Sequence, residues 1–591
     1  MKGFLEKISE ITSKAFADCG YDASYGKVSV SNRPDLCEYQ CNGAMAAAKA
    51  YHKAPFMIAD EVVAKLAEEK AFSLCESVKP GFINLNISEE FLTDYLGEMA
   101  EAGREGRFGA PEGAGKKVVM DYGGPNVAKP LHVGHLRSAI IGESIKRIRT
   151  YMGDQVTGDV HLGDWGLQMG LIIEELKDRQ PSLCYFDPDF TGEYPKEAPF
   201  TLSELEEIYP AANARKKDDL EFAERAHYAV VKIQQGDPAY MALWKHIMDL
   251  SLPDLKRNYD RLDVFFDLWM GESDSKPFIE DMINSMKESG VAYKSEGALV
   301  VDVTEETDSK EIPPCIVQKS DGAAIYATSD LATIVWRERN LQPDMYIYVT
   351  DKRQELHFTQ VFRTARKAGI VPENREMKWM GFGTMNGKDG KPFKPRDGGV
   401  MRLETLIGEV NSAVLNKVKE NRSVAEEDAE KTAEMIGLAA IKYGDLSNQA
   451  SKDYIFDIDR FTSFDGNTGP YILYTIVRIR SILKKYEEET GKTVATGKLS
   501  LMENASAKAM MQEMVKWNEM LTSAYEENAP HKICAYLFGL CDTFNSFYHE
   551  TKIIGEEDEA KKQSYLSLIT LALEVLETAI FLLGFSAPER M

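Results

Sequence analysis

Only eight cysteines are spread over the 591 residues, too few for a disulfide framework, so the fold must rest on hydrophobic cores. Cys37 and Cys41 form the one close pair. No second cysteine couple or paired histidine stands nearby to complete a zinc site, so the plain reading is two ordinary thiols, no metal site and a reducing, cytoplasmic setting. An uninterrupted apolar run is missing too. The first residues, MKGFLEKISE, hold no apolar stretch that could act as a signal peptide. The best membrane candidate, Leu566 to Phe585, is broken by Glu574 and Glu577; charges at mid-bilayer are costly, so a buried helix is expected and no membrane partner. No internal repeat and no low-complexity tract occurs. Basic charge is also short: 70 Lys+Arg stand against 94 Asp+Glu, a net −24. That excludes a protein that coats nucleic acid indiscriminately, but not one with a local basic track.

What is present is globular. Hydrophobic residues at 44% and charged residues at 28% supply several cores, and at roughly 150 residues per domain the length suggests about four units. Residues 1–110 read as a small α/β domain, with helical periodicity at Phe4, Leu5, Ile8 and Ile11 and a strand-like GFINLNIS. Five glycines between Ala102 and Lys116 then predict a flexible linker. VVMDYG predicts a buried strand. Leu136, Ile140, Ile141, Ile145, Ile148 and Met152 follow a 3.6-residue stripe closed by Gly153, and a second strand is expected around Val156 to Leu162. Strand, loop, helix and strand begin a parallel α/β sheet over 111–400. An insertion at about 180–320 holds a helical stretch (202–266) and a β-rich piece, GALVVDV with CIVQKSDGAAIYA, paired through turns such as Ser320-Asp321-Gly322. DLATIVWRER and MYIYVT restore the alternation. A helical connecting region (401–465) and a helical tail (466–591) complete the chain.

The most informative stretch is PNVAKPLHVGHLRS, with His132, Gly134 and His135 between a strand and a periodic helix. That junction offers free backbone N–H groups and the positive end of a helix dipole, a natural anion site. Gly134 clears room for a flat ring, and two imidazoles can donate hydrogen bonds to phosphate oxygens whose charge grows in a displacement at phosphorus. The four letters H-x-G-H arise by chance in about one chain per hundred of this composition, so placement and flanks must carry the argument.

With the flanks included, PNVAKPLHVGHLRS, HLGDWGLQMG (His161 to Gly170), IYATSDLA (Ile325 to Ala332), SFDGNTGPYILY and the terminal APERM resemble class I arginyl-tRNA synthetases, in family order from about residue 119 onwards. The resemblance implies a Rossmann-type catalytic domain with a connective insertion, a small N-terminal domain that contacts tRNA and an all-α anticodon-binding domain. It implies ATP and Mg²⁺ as reagents, L-arginine and its tRNA as partners, activation that usually needs bound tRNA, and a monomer. By the same resemblance His132, Gly134 and His135 hold ATP and the transition state, with Lys129 near the phosphates. The mobile KMSKS-type loop of the class departs from pattern here, reading GKDGKPFKPRDGG. Lys391, Lys394 and Arg396 supply its charge, and without the family it is a basic Gly/Pro-rich turn.

Recognition of a planar guanidinium needs a carboxylate able to accept two parallel hydrogen bonds. Tyr326 and Asp330 share a helix face at i, i+4, and the family places both on the substrate side chain. Asp121, Asn126 and Gln354 match positions at the amino-acid backbone end, His135 borders the same substrate, and Glu272 is a second candidate for the guanidinium. Read alone, Asp330 would be a helix N-cap. Gly163, Asp164 and Trp165 could line the adenosine pocket, or Trp165 could be core. In PYILYTIVRIRSILKK, Ile472, Leu473, Ile476, Ile479 and Leu483 point inward. Tyr471, Tyr474, Arg478 and Arg480, with Lys484 and Lys485, form a flank for tRNA or an ordinary solvated face. A small-molecule nucleotidylyltransferase, a non-catalytic tRNA-binding relative and a synthetase for another amino acid are the alternatives at this point.

Overall fold

The computed structural model describes residues 1–320, 322, 324–391, 401–421, 424–494 and 499–591. Two compact units emerge: Ala114–Ala413 with Asn448–Asp459, and Met1–Gly113 with Val414–Ser447 and Arg460–Met591.

The first unit is built on a four-stranded parallel sheet, in the order Glu376–Phe382, Met345–Asp351, Lys117–Tyr122, Gln155–Asp159. Val118, Val119 and Met120 are all buried, as are Met345 to Val349. Burial on both faces is why these strands read as continuous apolar runs rather than alternating ones. The helix Val133–Tyr151 lies against three of the strands with its apolar stripe buried. The chain moves outward first to Gln155–Asp159 and reaches Met345–Asp351, on the other side of Lys117–Tyr122, much later. Strand order therefore reverses between Lys117–Tyr122 and Met345–Asp351. The crevice beyond their carboxyl ends is where an open α/β sheet binds ligands. After Gln155–Asp159 the backbone turns through a left-handed His161 (φ 43°), and Asp159 and Leu162 bridge in parallel to Leu268 and Gly271. This delivers the start of helix Glu272–Glu288 to the same end of the sheet.

The inserted segment holds helices Leu202–Arg215, Leu220–Gln235 and Pro238–Arg261. It also holds an antiparallel sheet of Ala292–Ser295, Ala298–Val301 and Cys315–Gln318. GALVVDV and CIVQ do pair, but loop 302–314 joins them. The turn at Ser320 to Gly322 follows the second strand and leads into helix Tyr326–Asn340; Asp321 lies outside the described residues.

The second unit opens with an antiparallel sheet ordered Val28–Val30, Tyr39–Cys41, Phe82–Ile87, Phe72–Val78, with four α-helices. The flexible linker expected from the glycines is only partly present. Phe108 is fully buried, edge-on to Trp517 with centroids 5.7 Å apart, and the Trp517 indole donates to Arg107 O at 3.0 Å. Burying one phenyl ring outweighs the freedom of its glycine neighbours. The tail is a bundle. Its helix Glu559–Leu583 is long and apolar enough to cross a membrane (mean hydropathy 2.1), yet 67% of that window is buried. It packs against helices Gly469–Thr490 and Pro530–Glu550, and Lys442 Nζ donates to Gly584 O at 2.6 Å to close its C-terminus.

Candidate functional site

A cleft of about 700 Å³ opens in the first unit at the crevice between the two central strands. His132, Gly134 and His135 line one part of it, Asp121, Asn126, Gly163 and Gln354 another, and Glu272, Tyr326 and Asp330 a third. The tertiary fold thus gathers residues separated by more than two hundred positions.

The two imidazoles do more than line the wall. His132 is the N-cap of helix Val133–Tyr151, and its Nδ1 accepts from Gly134 N at 3.0 Å. The Nδ1 of His135 accepts from His132 N at 3.2 Å. Each ring therefore spends its δ nitrogen on a backbone donor, which leaves the proton of the neutral form on Nε2. Burial, then the charge of Lys129, lowers the His132 pKa; burial, His132 and Lys129 push that of His135 down to about 3. Both are neutral donors at pH 7. Gly134 has a further reason to be glycine: a Cβ there would stand 2.8 Å from the His132 ring and force it off its cap. Leu403 N donates to Leu131 O at 2.8 Å and Val133 N to Met401 O at 3.1 Å. The segment after the basic loop is thereby tied to the histidine loop.

The opposite side is acidic. Asp330 sits in the second turn of helix Tyr326–Asn340, whose N-cap is Ile325, so the capping role does not apply. Its carboxylate lies 2.5 Å from His357 Nε2 and 3.6 Å from His161 Nε2. Burial pulls the His161 pKa down, but Asp121 and Asp330 outweigh it and leave it above the ordinary value. Tyr326, at the first helical position, is 66% exposed at the rim. Glu272 begins its helix inside the cleft, and burial, aided by Asp330 and Asp164 and opposed by His161, drives its carboxyl up to about 7. Beneath lies a buried charge network: the Arg337 guanidinium donates to Asp121 at 2.6 Å, Asp159 at 2.8 Å and the Tyr348 hydroxyl at 2.8 Å. One oxygen of Asp121 is thus already committed to a salt bridge, although the residue reaches the cleft. A Cβ at Gly163 would meet Asn126 Oδ1 at 2.6 Å and push that amide from its place in the cleft.

Several expected residues fall elsewhere. Asp164 is buried and does not line the cleft; its oxygens accept from Ser273 N at 3.0 Å and Ser273 Oγ at 2.6 Å, clamping the helix that presents Glu272. Trp165 is half-buried, edge-on to Trp244 with Lys276 over its ring, and does not line the cleft. Lys129 reaches the Tyr209 ring (4.5 Å) rather than the cleft wall. Lys391 is exposed in the turn from Gly387, away from the cleft lining. Lys394 and Arg396 lie outside the described residues. Reading from sequence passed over His161, His357 and Arg337. The local signals were His161, which opens the HLGDWGLQMG motif, and His357, three residues after Gln354 in a helical pattern.

On helix Gly469–Thr490, Arg478 lies between the rings of Tyr474 (4.6 Å) and Tyr548 (5.0 Å) and donates to Asn545, which also donates to the Tyr471 hydroxyl at 2.9 Å. Arg480 does not join them. It pairs with Glu577 through two donors, at 2.9 and 2.7 Å, and bonds the carbonyls of Ala587 and Pro588. Two residues of helix turn it about 200° away from Arg478. Lys484 and Lys485 are matched by Glu488 and Glu489 one turn on.

A parallel sheet with paired cleft histidines at the head of its first crossover helix is the catalytic architecture of a class I aminoacyl-tRNA synthetase. Residues 103–458 match the family of "tRNA synthetases class I (R), catalytic domain", 472–591 the DALR anticodon binding domain and 4–87 the arginyl tRNA synthetase N terminal domain. The chain is 60% identical to the arginine–tRNA ligase of Agathobacter rectalis and 51% to that of Alkaliphilus oremlandii, each over 100% of both chains. Among solved structures, the arginyl-tRNA synthetase of Plasmodium falciparum superposes with a TM-score of 0.79 at 25% identity over 100% of both chains. The Thermus thermophilus arginyl-tRNA synthetase shares the fold with a TM-score of 0.76 at 21% identity, again over 100% of both chains. The chain belongs to the arginyl-tRNA synthetase family.

Proposed function

We propose that this chain activates L-arginine with ATP and esterifies it to the terminal adenosine of its tRNA, with the paired histidines facing an acidic pocket as the observation that carries the reading. An arginine carboxylate oxygen attacks the α-phosphorus and forms a P–O bond. The bond to the β-phosphate breaks and pyrophosphate leaves with its electron pair. A hydroxyl of the terminal adenosine then attacks the carbonyl carbon and AMP departs. The Nε2–H groups of His132 and His135 donate to phosphoryl oxygens as negative charge grows there, a role for neutral, pre-aimed donors. Asn126, Gly163 and Gln354 position the amino acid and nucleotide around them, and the free edge of Asp121 takes the α-ammonium. Tyr326, Asp330 and Glu272 hold the guanidinium.

Lys129, Lys391, Lys394 and Arg396 supply phosphate charge, a reading supported by the backbone bonds that tie Met401 and Leu403 to Val133 and Leu131. Magnesium enters on the ATP phosphates as part of the reagent. Among the described residues no three His, Cys, Asp or Glu side chains converge to hold a metal ion. Residues 1–110 and 466–591 contact the tRNA, with Tyr471, Tyr474 and Arg478 facing the anticodon, while 111–400 carry the chemistry. Eight unpaired cysteines suit a reducing cytoplasm.

ATP–pyrophosphate exchange with each of the twenty amino acids, with and without tRNA, is the direct test. Exchange with arginine alone, stimulated by tRNA, is expected. A different amino acid would displace the Tyr326/Asp330 pocket, and none at all would displace the enzyme.

The Glu272 carboxyl adds a pH dependence. In the free protein it is half-protonated near pH 7, whereas a bound guanidinium favours the ionised form. Arginine binding should release a proton, and the arginine KM should fall about tenfold as pH rises from 6 to 8. Glu272→Gln should lose most of that slope. A KM that is flat across this range in the unaltered chain would take Glu272 out of the pocket.

A further inference from the structure

The two oxygens of Asp330 face different neighbours. Oδ2 lies 2.5 Å from Nε2 of His357, on helix Glu355–Lys367. Oδ1 lies 3.6 Å from Nε2 of His161, beyond hydrogen-bond reach. An ionised carboxylate has no proton to give, so His357 is the donor, and its bond is charge-assisted and made to one oxygen only. The terminal torsion of an aspartate is broad, so an external anchor decides where the carboxylate plane points. The His357 side chain, 29% exposed, stands edge-on to Phe358 with ring centroids 5.0 Å apart and 83° between planes. Phe358 is buried against Tyr348. The imidazole thus links the aromatic core to the carboxylate. On the other side, His161 and Asp330 both line the cleft, and both ring nitrogens of His161 are buried without a hydrogen-bond partner.

We infer that His357 is a positioning residue for substrate selection: by donating to Oδ2 it fixes the plane of Asp330 and presents the carboxylate edge-on to the guanidinium. An oxygen with two lone pairs keeps one after accepting from His357, so the fork of two parallel N–H bonds stays available. The inference rests on Asp330 being the partner of the guanidinium. A loose carboxylate would still attract a cation but would lose the geometry that separates a planar fork from a point charge.

The test is steady-state arginylation by the full chain at saturating ATP and tRNA, comparing His357→Ala, His357→Gln and Asp330→Ala, with Tm recorded for each. His357→Ala is expected to raise the arginine KM about tenfold while kcat and the ATP KM stay within about threefold. His357→Gln, whose amide nitrogen reaches the Nε2 position, should return the KM to within about threefold of the starting value. The positioning role is overturned, with Asp330 untouched, if Asp330→Ala raises the arginine KM but His357→Ala does not. It is equally overturned if kcat and both KM values worsen together with Tm, or if the glutamine of a well-folded variant fails to rescue. If Asp330→Ala leaves the arginine KM unchanged, the Asp330 reading itself falls, and this inference falls with it.

Discussion

Asp330→Ala is expected to lower kcat/KM for arginine by about three orders of magnitude, because removing one partner of a desolvated charge pair costs about 3–5 kcal/mol. The loss should be specific. Helix Tyr326–Asn340 keeps its cap at Ile325, and its buried face of Leu331, Ala332 and Ile334 is untouched. Tm should therefore move little, and tRNA affinity measured by filter binding should stay within about twofold. Lysine should not become a substrate, since it brings neither a planar fork nor a partner for the remaining acceptors. Charging of arginine with an unaltered KM would refute the assignment and move the selecting carboxylate to Glu272.

His132→Asn has the second largest expected effect and separates two roles of one side chain. Asparagine is among the best N-caps, so its side-chain oxygen can still accept from Gly134 N and hold the helix. It has no donor at the position of Nε2. ATP–pyrophosphate exchange should fall about 10²–10³-fold, the usual cost of one oxyanion donor, with the arginine KM changed by no more than about threefold. Tm should stay within about 2 °C, as expected for a retained cap. If Tm collapsed with activity, the ring would be a cap and nothing more. If activity survived, the donor would be His135 alone. Because burial, with His132 and Lys129, pushes the His135 pKa down to about 3, that ring should contribute no titration to the rate between pH 6 and 8.

Much of the architecture was written locally. Continuous β-branched runs announced strands buried on both faces, the stripe from Leu136 to Met152 announced the crossover helix, and the H-x-G-H letters fell at its head, where a helix start makes an anion site regardless of context. Tyr326 and Asp330 could be placed on one helix face because i, i+4 spacing is a property of the helix alone. Local signals failed where long-range packing competed with them. Glycines between Ala102 and Lys116 spelled a linker, but Phe108 found Trp517, more than four hundred positions away. Arg480 looked like an outward cation in a basic stretch, yet Glu577 and the terminal carbonyls of Ala587 and Pro588 claimed it. Asp164 belonged to a motif and proved to be a clamp on Ser273.

The sequence by itself determined the class of fold, the family and the place of the paired histidines at the head of the crossover helix, since these depend on short-range motifs and periodicity and on the junction of one strand with one helix. The tertiary structure decided the acidic half of the site. Only the reversal of strand order brings Asp121 beside Tyr348 at one crevice, and only helix packing sets His357 against Asp330 and Arg337 between Asp121 and Asp159. Those contacts join residues 27 to 216 positions apart, a separation at which no periodic pattern survives and only the shared burial of charge with its counter-charge fixes the partner.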